Sequence, residues 1–202
     1  MSDFPDGFFD RADPGDDREF YLPPRFVQHI DEGALAAAAA FYGELGTTGR
    51  VLDLMSSWVS HLPQRPGHLT VLGMNRAELA ANEMADEAVR HDLNADPVLP
   101  LPDAAFDACV CTVSVDYLTD PVAVFAEVGR VLVPGGVFAC TFSDRCFPTK
   151  AIRGWLAADD ATRVRIVGEY FRRSGAFGPA RARDCGAPGD PLYAVWASTP
   201  TG

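Results

Sequence analysis

Between Phe106 and Phe142 two apolar runs flank a stretch that carries both a helix start and a helix stop, and this leaves the chain few folds to adopt. Phe106 to Val113 is an apolar run of strand length, and Val137 to Phe142 is another. Between them Asp120 offers an N-cap oxygen and Pro121 suits the first helical position. Val122, Phe125, Val128 and Leu132 recur at three- and four-residue spacing, an apolar stripe for one helix face. Pro134-Gly135-Gly136 predicts the helix end, since proline cannot extend a helix and glycine supplies the turn. Strand, helix and strand in this order form a parallel crossover.

The same alternation runs upstream. Arg50 to Leu54, His68 to Gly73 and Val89 to Asp92 read as short buried strands, with a helix over Arg76 to Met84. Val164, Val167 and Phe171 mark a last long helix, and strand-like runs near 180–184 and 192–198 follow. Before the first strand, Leu35, Ala38, Tyr42 and Leu45 share a helix face, and Gly46 and Gly49 stop it. Pro24 is placed to open a short helix, with Phe26 and Ile30 on one face and Arg25 and His29 on another. Residues 1–19, rich in Asp, Pro and Gly, predict a mobile or loosely docked arm. The expected fold is therefore α/β, a doubly wound, mostly parallel seven-stranded sheet with an N-terminal helical segment. Residues 1–49 would form an arm and helical lid, and residues 50–202 the α/β domain.

Composition narrows the partners. The 202 residues suit one domain, and 28 Asp and Glu against 17 Lys and Arg give a net charge of −11. No basic stripe exists to track phosphates, so nucleic acid and anionic membrane are not expected partners. Ala34 to Tyr42 is too short to span a bilayer, and the first twenty residues lack the apolar core of a signal peptide. Five cysteines, an odd number, without Cys/His spacing for zinc, point to no metal and to a reducing, cytoplasmic location.

The run Leu99-Pro100-Leu101-Pro102-Asp103-Ala104-Ala105-Phe106-Asp107 resembles a segment of small-molecule methyltransferases. Tyr117-Leu118-Thr119-Asp120-Pro121 and Arg130-Val131-Leu132-Val133-Pro134-Gly135-Gly136 extend the likeness. The chain is thus similar to the class I S-adenosylmethionine-dependent methyltransferases, strongly over 99–141 and in outline over 51–197. This resemblance implies S-adenosylmethionine as cofactor, a small-molecule acceptor, and a site where the loops after Asp53 and Val113 face each other. It also implies that Asp92 accepts the adenine amino group beside an apolar wall at Leu93. Asn75, where the family carries an acid, would contact the ribose or cap the following helix. The first loop departs from the family's alternating glycines, with Met55, Ser57 and Val59 in their places. Ser56 or Ser57 would then hold the methionine end by hydroxyl bonds, with Trp58 as an apolar wall.

Methyl transfer needs alignment more than a strong catalyst. Asp116 and His29 are candidate bases and Tyr117 a candidate to orient the acceptor, with Ser114 beside them in the pocket. Tyr21 and Arg25 are candidates for the methionine carboxylate. Cys146 reads as pocket wall. The alternative is a methyltransferase-like scaffold without catalysis. A nicotinamide oxidoreductase fits less well, because its phosphate cradle depends on the missing glycines.

Overall fold

The computed structural model describes residues 4–186 and 188–202. Seven strands form one sheet: β1 (Arg50–Leu54), β2 (His68–Gly73), β3 (Glu87–Arg90), β4 (Phe106–Thr112), β5 (Leu132–Phe142), β6 (Arg181–Asp184) and β7 (Tyr193–Ser198). Their order is β3-β2-β1-β4-β5-β7-β6. The first five pair in parallel, whereas β7 runs antiparallel to both β5 and β6. The chain order reverses between β1 and β4, which makes the carboxyl ends of those two strands the switch point.

Alternation along β4 feeds two cores. Cys109 and Cys111 face α4 (Pro121–Val131) and α6 (Asp160–Ser174), where Phe125, Phe138, Tyr170 and Phe171 pack. Ala108 and Val110 face α2 (Glu32–Leu45), through Ala34, Ala38, Phe41 and Tyr42. The Tyr42 hydroxyl hydrogen-bonds Thr112 and Thr141 at 2.8 Å each, so α2 is tied to the sheet.

Several elements fall elsewhere than the sequence predicts. α4 stops at Val131, because Leu132 is already extended and pairs with Phe106. Pro134-Gly135-Gly136 lies inside β5, where the register shifts between Phe106 and Ala108 and Gly135 takes φ 80°. The buried stripe of α4 is accordingly Val124, Phe125, Val128 and Val131. α3 is confined to Arg76–Ala80, and β3 ends two residues before Asp92.

No helix opens at Pro24; a single turn, α1 (Asp17–Phe20), forms earlier, capped by Asp16. Nor is the arm loose. Arg11 bridges Ile152, Gly154 N–H donates to Phe8 O at 2.9 Å, and Arg153 N–H donates to Asp10 O at 2.7 Å. Phe4 and Phe9 pack on Tyr170. Lys150, only 1% exposed, pairs with Asp17 at 2.9 Å and Asp13 at 3.0 Å, and Arg11 joins Asp17 at 2.7 Å. Three phenylalanines and a buried cation outweigh the disordering effect of the acidic, glycine-rich composition.

Candidate active site

A cavity of about 470 Å³ opens beyond the carboxyl ends of β1 to β4, at the switch point. The loop after β1 supplies Met55, Ser56 and Ser57, and the loop after β4 supplies Val113, Ser114 and Tyr117. The two loops meet across one space, as the sequence expects.

The first loop keeps a glycine-like turn without glycine. Met55 has φ 56°, in the left-handed region. Asp53 lies beneath the cavity and outside its lining, where it accepts the Ser56 hydroxyl at 2.7 Å and the Ser60 hydroxyl at 2.6 Å. Burial pushes Asp53 up to about 6, with the two hydroxyls pulling the other way. Ser57 donates its hydroxyl to Glu78 at 2.6 Å. Both hydroxyl protons are thus committed to carboxylates of the chain itself. Across the cavity Val113 is also left-handed, at φ 44°.

Asn75 is fully occupied. Its Oδ1 caps α3 by accepting Ala77 and Glu78 N–H, and its Nδ2 donates to Tyr21 O at 2.8 Å and Leu22 O at 3.0 Å. An amide has two donors and two acceptor sites, so the capping role excludes ribose contact in this arrangement. Asp92 and Leu93 both line the cavity. Asp92 Oδ1 closes the turn by accepting Asn94 and Ala95 N–H, and no hydrogen bond within the described residues occupies Oδ2.

The short 3-10 turn Val115–Tyr117 separates its two polar side chains, since successive residues on a three-fold helix point about 120° apart. Tyr117 lines the cavity and its hydroxyl oxygen accepts Phe147 N–H at 2.9 Å. Asp116 turns into the body. It is outside the cavity lining, its Oδ2 has no partner, and burial raises it to about 8. A base at Asp116 is therefore not supported. Ser114 lines the cavity and bonds Thr112 O at 2.9 Å.

Tyr21, Arg25, Gln28 and His29, from the segment before α2, also line the cavity. The Arg25 guanidinium lies 4.5 Å from the Phe20 ring centroid and 5.4 Å from that of Phe147, and donates to Phe20 O at 2.8 Å. Among the described residues no carboxylate stands within ion-pair distance of it. Burial lowers the His29 pKa, with Glu78 opposing, so His29 is neutral near pH 7. Trp58 does not wall the cavity; its indole N–H donates to Val27 O at 3.3 Å and its ring meets Phe26 edge-on. Cys146 is wall, with its thiol raised by burial. No cluster of metal-ligating side chains occurs among the described residues.

Several cavity residues were not singled out from sequence, Glu78, Asp17 and Asn94 among them. Glu78 could have been, because Asn75-x-x-Glu78 has capping-box spacing. Asp17 and Asn94 gave no local signal, whereas Phe147 lies in the loop after the fifth strand, a segment the sequence marks for the acceptor pocket. Asn94 donates to Asp17 Oδ2 at 2.8 Å and Tyr117 O at 2.9 Å and accepts Thr119 N–H at 2.8 Å, joining three loops distant in sequence.

A five-stranded parallel sheet extended by an antiparallel hairpin, with a cavity at the β1/β4 switch point, is the Rossmann-like fold of S-adenosylmethionine-dependent methyltransferases. In sequence the chain is similar to the class I family of these proteins. The family model described as a methyltransferase domain matches residues 47–140. A ubiquinone/menaquinone biosynthesis C-methyltransferase of Methylobacterium nodulans is 37% identical over 125 residues, covering 52% of this chain and 49% of that protein. The chain thus spans about half the length of the curated relative it matches. An S-adenosylmethionine-dependent methyltransferase of Aquifex aeolicus superimposes with TM-score 0.60 at 16% identity, covering 91% of this chain and 97% of that one. A possible histamine N-methyltransferase of Thermotoga maritima gives TM-score 0.61 at 12% identity, covering 82% and 89%.

Proposed function

We propose that the chain binds S-adenosylmethionine in this cavity and transfers its methyl group to a small-molecule acceptor. The observation that carries this reading is the pair of left-handed residues, Met55 and Val113, on the two facing loops of the switch point. Left-handed backbone costs a residue with a Cβ roughly 1–2 kcal/mol, and such strain concentrates at ligand sites. The cavity also falls within the ~300–1,000 Å³ typical of cofactor sites.

The side chains present suit the cofactor. Arg25, a guanidinium without a carboxylate partner, would take the methionine carboxylate, helped by Tyr21. Asp92 Oδ2 would accept the adenine amino group, against the wall at Leu93. Met55 and Ser57 would contribute backbone rather than hydroxyl donors, and Asp53 would hold their loop from below. Ser114 would complete the wall opposite. The bound cofactor supplies a methyl group on a positively charged sulfur. The protein's share is alignment: the Tyr117 O–H is free to donate to an acceptor oxygen, and neutral His29 can accept a proton the acceptor loses.

A small, flat acceptor is favoured. The rings of Tyr117, Phe147 and His29 converge on the cavity. The curated relative, named as a C-methyltransferase of quinone biosynthesis, is consistent with an aromatic acceptor. Within residues 1–49 the covering role falls to the part before α2, and residues 50–202 form the catalytic body. No helix among the described residues is long and apolar enough to cross a membrane, and we place the protein in the cytoplasm.

The scaffold reading keeps one observation in its favour: Ser56, Ser57 and Asn75 spend their donors internally. Titration calorimetry with S-adenosylhomocysteine separates the two. Saturable heat together with a thermal shift supports the enzyme. Neither signal at millimolar ligand replaces it with the scaffold.

A further inference from the structure

We infer that Glu78 is the residue that recognises the ribose diol of the cofactor, while Asn75 latches the covering segment. The inference rests on the proposed cofactor site and adds a specificity-determining residue to it.

A vicinal diol presents two O–H donors and is best met by a pair of acceptors, ideally on one carboxylate. At the β1–β2 side of the cavity Asn75 has no capacity left, as both amide hydrogens go to Tyr21 O and Leu22 O and Oδ1 takes two backbone N–H groups. An acid at position 75 could not make those bonds to carbonyls, because a carboxylate has no hydrogen to donate. The amide is thus matched to the covering segment.

Glu78, one turn into α3, lines the same cavity and is 9% exposed. Its Oε1 accepts Arg25 N–H and its Oε2 accepts the Ser57 hydroxyl, each at 2.6 Å. Each oxygen therefore keeps one acceptor site, and no cation neutralises the group within ion-pair distance among the described residues. A buried carboxylate with two unfilled acceptor sites, facing a ligand cavity, calls for neutral donors, which a diol supplies. The two bonds it already makes fix its position between the first loop and the covering segment.

The test compares S-adenosylhomocysteine with its 2′,3′-dideoxy analogue by calorimetry on the full chain. Wild type should prefer the diol at least tenfold. Glu78→Gln should bind both ligands with a preference below about threefold; its amide still accepts Arg25 N–H and can donate to the Ser57 oxygen, so the covering segment stays latched. Ser57→Ala frees Oε2 and should keep or enlarge the preference, which holds the test open if Glu78→Gln fails to fold. A full diol preference in Glu78→Gln, or its loss in Ser57→Ala, overturns the inference while leaving the cofactor site standing. No binding of either ligand by wild type overturns the cofactor site itself, and this inference with it.

Discussion

The arm before Tyr21 and the strap from Leu22 to Ile30 are adjacent and carry two prolines each, yet they are packed in opposite senses. In the arm, phenylalanines turn inward onto Tyr170 and acids find the buried Lys150. In the strap the apolar residues as far as Val27 face water, with Leu22 71% exposed, Phe26 51% and Val27 54%, and only Ile30 at its end turns into the core. Its polar residues Arg25, Gln28 and His29 instead line the cavity. The arm is shaped by the hydrophobic core, and the strap by what the cavity is built to hold. Stability should therefore reside in the first and affinity in the second.

The largest effect should come from breaking the arm's anchor. Lys150→Met leaves Asp17 and Asp13 without their shared cation. Removing one partner of a buried pair costs about 3–5 kcal/mol, and because Asp17 keeps Arg11 and Asp13 is partly exposed, this case falls at or below the lower end. Urea unfolding should show the loss, with faster proteolysis before residue 20. A wild-type midpoint would mean that the arm is not anchored there.

Asp116, buried on the 3-10 turn, gives the next effect and carries a sign. Its folded pKa of about 8 exceeds the ordinary carboxylate value, so the folded state holds its proton more tightly than the unfolded chain. Its stability contribution is whole below about pH 4 and is lost as pH rises to 8. Asp116→Asn should therefore gain in melting temperature over wild type progressively between pH 4 and 8, with methyl transfer unchanged. A constant offset across that range would place the carboxyl in water.

The strap should respond in affinity. Arg25→Ala should weaken S-adenosylhomocysteine binding ten- to hundredfold, about 1.5–3 kcal/mol for a charge-assisted bond, and leave the urea midpoint within error. Loss of stability without loss of affinity would reverse the contrast between strap and arm. Smallest of all, Phe26→Ser should stay within about 0.5 kcal/mol of wild type by thermal melting, because that ring already faces solvent.

The sheet was legible because strand and helix periods, caps and breakers agree over most of 50–198. The misreadings have local causes. Pro134-Gly135-Gly136 carries the same stop signal whether it ends a helix or bends a strand, and only pairing of Leu132 with Phe106 decides. Asp17 and Lys150 are 133 positions apart, and nothing near either announces that they meet. At the cavity, residue type was readable and orientation was not. Asp116 and Tyr117 are neighbours in sequence, but a single tight turn sends one inward and the other to the site. Asn75 was readable as a cap because capping is local, whereas its bonds to Tyr21 and Leu22 span more than fifty residues.

Both borders of the sheet are strands of four residues, and each carries charge: Glu87 and Arg90 on β3, Arg181, Arg183 and Asp184 on β6. All four residues of β6 are exposed. A second molecule adding its own strand there would have to strip water from these charged groups without offering them partners. The chain is thereby guarded against lateral growth into fibrils, and it should remain dispersed at concentrations where a bare hydrophobic border would seed aggregation.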